Sequence, residues 1–273
     1  MAKNIINQWD PDFLNKSLIF SDLKILLNEV HWHDWPGCHG LLALLNGPII
    51  LSSGLPLDMR PQDTTLPFAE MGYEERVYKK GIVSTREKNW HDLFNAFIWL
   101  LFPKTKILLN DLHMQELKKQ PGKKRTPARD AITHIDESGI IIASSNTSLL
   151  SALKKHQWQD VFVKSREQWL QEAGVQSISA FVFGHGMYEK AFNPFIGFTG
   201  KAYCLEVGDD FYQQDKMTQY QHLDQLLCDD IKHNNTLSNS RHLSPLPILG
   251  VPGWSEDNES PEYYDNTDYF RAK

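Results

Sequence analysis

The segment from Asn89 to Lys104 constrains the fold most strongly, because large apolar residues recur in it at spacings of three and four. These residues are Trp90, Phe94, Phe97, Ile98 and Leu101. Such spacing predicts a helix with one buried face. The helix should stop at Phe102, because Pro103 disfavours a helical residue before it. Proline also suits the first position of a helix, so a second helix should run to about Lys118.

Polar residues interrupt the apolar pattern of the first helix at related positions. His91 and Asn95 are four residues apart and therefore share one stripe, with Asp92 beside them. A polar stripe also occurs on the second predicted helix, formed by Lys106, Asn110 and His113. Two interpretations stay open for the first stripe. Its members are hydrogen-bonded core groups, or they face a pocket in which Asp92 orients a histidine that titrates near neutral pH.

The stretch Asn-Trp-His-Asp-Leu-Phe-Asn-Ala, with Trp99 and Phe102-Pro103-Lys104 after it, resembles a bacterial family catalogued as domain of unknown function thirty twenty-five. Further segments resemble the same family: Tyr73–Arg76, Arg129–Ala131, Phe183–His185, Tyr188–Lys190, Thr199–Ala202 and Leu249–Trp254. The resemblance extends from about Leu66 to Arg271. It implies no particular activity, so the function has to be argued from the residues themselves.

Composition indicates a folded, water-soluble protein of 273 residues. Hydrophobic residues make up 41%, including 14 Phe, 8 Trp and 9 Tyr, which is enough for a well-filled core. The net charge of −6 argues against a dedicated nucleic-acid binder. Three cysteines are too few for a disulfide framework and favour a reducing compartment. No apolar run approaches the ~18 residues of a membrane span, so we expect a cytoplasmic protein with no membrane partner.

The fold class predicted from these patterns is α+β, a predominantly helical single domain over residues 1–273. A β-hairpin is expected in which strands 130–135 and 140–143 flank the turn-like sequence Asp-Glu-Ser-Gly. Helices are expected at 159–173 and, through spacings of three and four, at 177–192, although 178–183 alone also suits a strand. Residues 243–273 contain several prolines and aromatic residues, which predicts an extended arm packed on the domain.

Histidines, carboxylates and cations recur on separate segments, and such groups form a catalytic centre if the fold brings them together. His185 lies between Gly184 and Gly186, which indicates the close approach of another backbone or of a ligand. The candidates for acid–base chemistry are His91, Asp92, Asn95, His185 and Glu189, and those for anion binding are Arg86, Lys104, Arg125 and Arg129. Arginine suits the second role because its fork matches phosphate or carboxylate.

Metal binding is a further hypothesis. His31, His33 and His39 lie in a segment that also contains Asp34 and Cys38, although their spacing is not that of a recognised zinc site. His185 and Glu189, four residues apart, are the other candidate pair. Neither set is assigned as metal ligands, and the cofactor and the oligomeric state stay open.

The resulting functional hypothesis is a hydrolase or transferase that acts on an anionic small molecule, for example a phosphorylated one. The sequence contains no P-loop, dinucleotide fingerprint, Gly-x-Ser-x-Gly elbow or His-Glu-x-x-His motif, so the classes that depend on them are excluded. The alternative is a non-catalytic protein whose basic stretch at 118–129 binds an acidic partner or RNA, with a strong dependence on salt.

Overall fold

The structure is a computed structural model, and it describes residues 8–27, 29–62, 65, 68–120 and 124–273. Within these residues the α-helices are α1 (Lys24–Leu27), α2 (Cys38–Leu42), α3 (Tyr73–Lys80), α4 (Trp90–Leu101), α5 (Pro103–Lys119), α6 (Pro127–Ser138), α7 (Thr147–Lys154), α8 (His185–Ala191) and α9 (Lys216–Asn234). The strands are β1 (Asp58–Pro61), β2 (Ile82–Thr85), β3 (Gly139–Ser144), β4 (Ile178–Val182), β5 (Thr199–Glu206) and β6 (Ser244–Pro247). Helix accounts for 53% and strand for 13%, which confirms the predicted α+β class.

Helix α4 is the central element of the packing, as its apolar spacing predicts. It begins after Asn89, whose side chain accepts a hydrogen bond from the backbone N–H of Asp92 at 3.0 Å. It ends at Leu101, and Pro103 opens α5 directly afterwards, so both predicted boundaries are confirmed. The buried face of α4 includes Trp90 and Phe94, which belong to a continuous aromatic cluster with α8 and the N-terminal turns.

The strands form two separate sheets. Four of them pair in the order β4-β3-β5-β6, with β3 parallel to β5 and antiparallel to β4. Every residue of β3 is buried, as expected for the inner strand of a covered sheet. Strands β1 and β2 form a small parallel pair in which Asp58 lies opposite Ile82. Because β2 leads directly into Asn89 and α4, this pair fixes where the central helix starts.

The predicted hairpin at 130–143 is wrong, because residues 127–138 form helix α6 and only β3 follows as a strand. Thr126 caps the helix by accepting a hydrogen bond from the N–H of Arg129 at 3.1 Å. Ala131, Ile132 and Ile135 are buried at helical spacing. The sequence Asp-Glu-Ser-Gly therefore forms the last turn of a helix and the start of a strand, with Gly139 at the junction.

Two predicted helices also differ from the structure. The first half of 177–192 is strand β4, and α8 begins only after Phe183 and Gly184. Residues 159–173 form a single π-helical segment, Gln159–Lys164, followed by short 3₁₀ turns that end at Gly174. In both cases apolar residues three or four positions apart are buried, but the backbone does not form one continuous α-helix.

The chain after Leu243 contributes strand β6 and a series of 3₁₀ turns to the surface of the body. Tyr264 and Tyr269 are buried in this segment. The hydroxyl of Tyr269 donates to the carbonyl oxygen of Phe198 at 2.6 Å, which ties the segment to β5. Among the helices of the described residues, none combines the length and the apolar character needed to cross a membrane.

Candidate functional site

A cleft of about 650 Å³ opens where α3, α4, α5, α6 and α8 meet, and it is called the central cleft below. Its walls are predominantly polar. The charged and imidazole residues that line it are Glu74, Arg76, Arg86, His91, Asp92, His113, Arg125, Arg129, Asp136, Glu137 and His185. A volume of this size accommodates a small molecule. The fold therefore brings most of the candidate residues to a common space.

Two histidines meet in the central cleft although they are far apart in sequence. His91 lies in the first turn of α4, and His185 is the first residue of α8. Their Nε2 atoms are 3.1 Å apart, with the rings at an interplanar angle of 73°. His185 is only 4% exposed, whereas the side chain of His91 is 27% exposed and is reached more easily from the cleft. This convergence of two imidazoles is the main geometric feature of the site.

Carboxylates surround the histidine pair. Oε2 of Glu189 lies 3.1 Å from Nδ1 of His91, so Glu189 contacts His91 and not its helix neighbour His185. Nδ1 of His185 faces Oδ2 of Asp136 at 4.0 Å, and its Nε2 lies 3.7 Å from Oε1 of Glu137. The hydrogen bond with Glu189 raises the pKa of His91. Burial lowers the pKa of His185 to about 4, so this imidazole is neutral at physiological pH.

The two glycines beside His185 allow α8 to approach the end of α6. A Cβ on Gly184 would lie 2.3 Å from the backbone nitrogen of Gly139. One on Gly186 would lie 2.9 Å from the carbonyl oxygen of Glu137. The structure therefore shows the approach of another backbone at these glycines. This contact places Glu137 next to the imidazole of His185.

Behind the histidines lies a buried chain of hydrogen bonds. Lys106, which is 3% exposed, contacts Oδ1 of Asp136 at 2.5 Å and donates to Oδ1 of Asn95 at 3.0 Å. The amide of Asn95 donates in turn to the hydroxyl of Tyr73 at 2.9 Å. Burial alone would lower the pKa of Lys106, but the charge of Asp136 and its hydrogen bond, together with the charges of Tyr73 and Glu74, outweigh burial and the net shift is upward. Asn95 therefore supports a buried ammonium–carboxylate pair behind the histidines.

Asp92 and Arg86 form a pair with each other at the rim of the cleft. The guanidinium of Arg86 donates to both oxygens of Asp92, at 2.7 and 3.0 Å, and its backbone N–H donates as well. The carboxylate of Asp92 is thus satisfied by Arg86, and of the two carboxylates considered as partners of a histidine it is Glu189 that lies beside His91. The side chain of Arg86 is 54% exposed and remains accessible from solvent.

The other candidate anion-binding residues divide into three cases. Arg129 lines the cleft, and its buried Nε and Nη1 atoms have no hydrogen-bond partner among the described residues. Arg125 also lines the cleft but contacts Asp130 at 3.2 Å. Lys104 lies outside the cleft, where its ammonium donates to Gln225 at 2.8 Å. The structure therefore does not place Lys104 with the other candidates.

Glu74 and His113, which also line the cleft, form a second pair of titratable side chains. Asn110 donates to Oε2 of Glu74 at 2.6 Å, and Nε2 of His113 lies 3.9 Å from Oε1. Burial, with the negative charge of Asp136, raises the pKa of Glu74 to about 7. Burial lowers the pKa of His113 to about 4. Both side chains therefore favour the uncharged form between about pH 4 and pH 7.

Sequence reasoning missed several residues of the site. Asp136 and Glu137 were assigned to a hairpin turn, and Tyr73 and Glu74 were not considered as functional groups. The signal that identifies Glu137 is helical: in α6, Asp136 and Glu137 lie three and four residues after Thr133, so all three share one face and line the cleft. Reading 127–138 as a helix would have placed both carboxylates at its carboxyl end.

The structure also distinguishes between the two metal sites considered from the sequence. Within the part of the chain that the structure describes, one group of three or more potential ligands lies close enough to hold an ion, and it consists of His91, Glu137 and His185. His31, His33 and His39 are exposed and form no such group. Glu189 stands beside the group, as a partner of His91.

Comparison with known proteins identifies a family without a known activity. A family model described as a protein of unknown function, DUF3025, matches residues 61–273, which is most of the chain. Searches of curated proteins and of solved structures gave no significant match.

Proposed function

We propose that this chain, which belongs to the DUF3025 family of proteins of unknown function, is a hydrolase that acts on a small anionic molecule in the central cleft. One observation carries the proposal: the Nε2 atoms of His91 and His185 face each other at 3.1 Å in a cleft whose wall also holds the unpaired guanidinium of Arg129. A reacting centre and an anion-binding group thus share one space, as catalysis requires.

The proposed reaction is the addition of water across an ester bond. A water next to an imidazole gives a proton to the ring nitrogen and attacks the electrophilic phosphorus or carbon. A bond to the water oxygen forms, the bond to the leaving oxygen breaks, and the leaving oxygen takes up the proton from the imidazole. Glu189 next to His91 holds that ring in one orientation and favours positive charge on it.

The substrate class follows from Arg129. Two nitrogens of its guanidinium, Nε and Nη1, are buried without a partner, and an unsatisfied buried donor costs roughly 1–3 kcal/mol. A phosphate or carboxylate group of a substrate would satisfy at least one of them, because a guanidinium N–H forms a strong, charge-assisted hydrogen bond with such an anion. Arg86 is positioned at the rim, where its exposed charge attracts an anion before binding.

A small panel of substrates tests this proposal. The full-length chain is assayed with p-nitrophenyl esters of phosphate, of a phosphodiester and of a dicarboxylic acid. We expect turnover of at least one ester, a loss of at least about 100-fold in kcat for His185→Asn, and a raised KM for Arg129→Ala. Lys104→Ala is the matched control, because this cation lies outside the cleft. Equal rates in His185→Asn and the unmodified protein, or no ester turned over at all, would refute the proposal.

The alternative, a non-catalytic protein that binds an acidic partner or RNA, has less support from the described residues of the basic stretch. Lys119 contacts Glu116 at 2.7 Å, and Arg125 contacts Asp130 at 3.2 Å. Lys123 lies outside the described residues. Paired cations attract a partner less strongly than free ones, so this alternative stays a prediction, tested by the salt dependence of RNA binding.

A further inference from the structure

We infer that His91, His185 and Glu137 together form a binding site for one divalent transition-metal ion, with zinc as the best fit. The role of the ion rests on the proposed function, whereas its binding does not. The geometry of the three side chains, the groups behind them and the cleft in front of them support binding.

The distances between the three ligand atoms suit a single ion. The two imidazole Nε2 atoms are 3.1 Å apart, Oε1 of Glu137 lies 3.7 Å from Nε2 of His185, and the three ligand atoms all lie within 4.8 Å of one another. Zinc–ligand bonds of about 2.0–2.1 Å at tetrahedral angles require ligand atoms roughly 3.3 Å apart. Two of the observed distances, 3.1 and 3.7 Å, lie close to this value.

The groups behind the imidazoles favour the same arrangement. Nδ1 of His91 is 3.1 Å from Glu189, and Nδ1 of His185 faces Asp136 at 4.0 Å. A histidine that binds a metal through one ring nitrogen commonly has a carboxylate at the other, which holds the N–H there and leaves the first nitrogen with its lone pair. Glu189 does this for His91, whereas Nδ1 of His185 is buried without a hydrogen-bond partner and has the carboxylate of Asp136 nearby. Two Nε2 atoms 3.1 Å apart repel each other if both carry lone pairs, unless a cation or a proton lies between them.

The three ligands are also held in place by the fold. They come from α4, α6 and α8, and the approach of α8 to the end of α6 depends on Gly184 and Gly186. The imidazole of His185 is almost completely buried. Because these contacts fix the positions of the three elements, ion binding would need little rearrangement. This is what a preorganised metal centre requires.

Three protein ligands with open space beyond them are typical of a catalytic zinc site, whereas structural zinc sites use four. All three ligands line the central cleft, which Arg129 also lines. An ion there lowers the pKa of a bound water and supplies the hydroxide for the proposed hydrolysis. His91 and His185 then serve as ligands, and the water proton is released to solvent.

Direct binding measurements test the metal site without any substrate. The full-length chain is treated with a chelator, dialysed, and titrated with zinc by calorimetry and with cobalt by visible absorption. We expect one ion per chain and a cobalt spectrum of four- or five-coordinate geometry. His185→Asn and Glu137→Gln should weaken zinc binding by at least about 100-fold, and Glu189→Gln by about 10- to 100-fold through the orientation of His91.

Histidine variants outside the central cleft are the controls. His33→Ala removes an exposed imidazole from the other histidine-rich segment and should leave zinc affinity unchanged. The inference is overturned if the chelated protein binds less than half an ion per chain, or if His185→Asn and His33→Ala bind zinc equally well. It is also overturned if zinc does not bind and ester hydrolysis persists in the presence of chelator. A proton alone would then lie between the Nε2 atoms of His91 and His185. Zinc bound at His91 and His185 with no hydrolysis of any ester would refute the proposed function and leave the metal site standing.

Discussion

Glu74 provides a stability test of the electrostatics of the central cleft, through the substitution Glu74→Gln. Burial raises the pKa of this carboxyl from 4.5 to about 7, so the folded protein favours its protonated form. A carboxyl whose pKa is raised on folding contributes stability that is fully present below pH 4.5 and is lost as the pH rises through 7. Glutamine has the shape of the protonated acid and carries no charge at any pH.

The size of the effect follows from the shift. One pKa unit corresponds to about 1.4 kcal/mol, so a rise from 4.5 to about 7 corresponds to roughly 3 kcal/mol. The side chain of Glu74 is 27% exposed, so solvent screens part of this energy and about 2 kcal/mol is the better expectation. Glutamine keeps an oxygen for the hydrogen bond from Asn110 and an N–H that can face His113. The variant should therefore match the unmodified protein at pH 4 and exceed its stability by about 2 kcal/mol at pH 8.

Urea denaturation followed by tryptophan fluorescence measures the free energy of unfolding at each pH. The matched control is Glu75→Gln on the same helix, whose side chain is 37% exposed and pairs with Lys79 across one turn. This control should change stability by no more than about 0.5 kcal/mol at either pH. A difference between Glu74→Gln and the unmodified protein that does not grow with pH would refute the assignment of a raised pKa to Glu74.

Further substitutions test the packing around the histidines, each by urea denaturation. Gly184→Ala should lose about 3 kcal/mol or more, because its Cβ would lie 2.3 Å from a backbone nitrogen that cannot move away. Gly72→Ala, where a Cβ meets nothing within 4 Å, should lose no more than about 1 kcal/mol, because alanine caps a helix less well than glycine, and equal losses at the two glycines would contradict the contact. Lys106→Met should lose about 3–5 kcal/mol, because it leaves Asp136 charged and buried without its partner. A loss below about 1 kcal/mol would show that the Lys106–Asp136 pair is not a buried ion pair.

The central helix could be predicted from sequence because its information is local. Trp90, Phe94 and Leu101 repeat at helical spacing, and Pro103 marks the boundary between two helices by its own geometry. Helix α6 was misread because an Asp-Glu-Ser-Gly sequence satisfies a turn and a helix end equally well. Only the packing of Ala131 and Ile135 against the body distinguishes the two, and that packing is tertiary.

The candidate site could be predicted only in part for the same reason. His91 and His185 were singled out from their neighbours in sequence, yet their meeting depends on the packing of α8 against α4. Glu137 was missed because its helix was missed. The partner of His91 is Glu189 and not the adjacent Asp92, since Arg86 already occupies that carboxylate. Contacts that span long stretches of the chain are not encoded in any one segment.

Anomalous diffraction from crystals of the zinc-loaded protein tests the central claim most directly, namely that His91, His185 and Glu137 converge on one reactive point. The account predicts a zinc peak in the central cleft about 2.1 Å from the Nε2 atoms of both histidines, with a carboxylate oxygen of Glu137 at a similar distance. The account would be contradicted by a zinc peak at His31, His33 and His39 instead. The absence of a peak between His91 and His185 in crystals soaked in zinc would also contradict it.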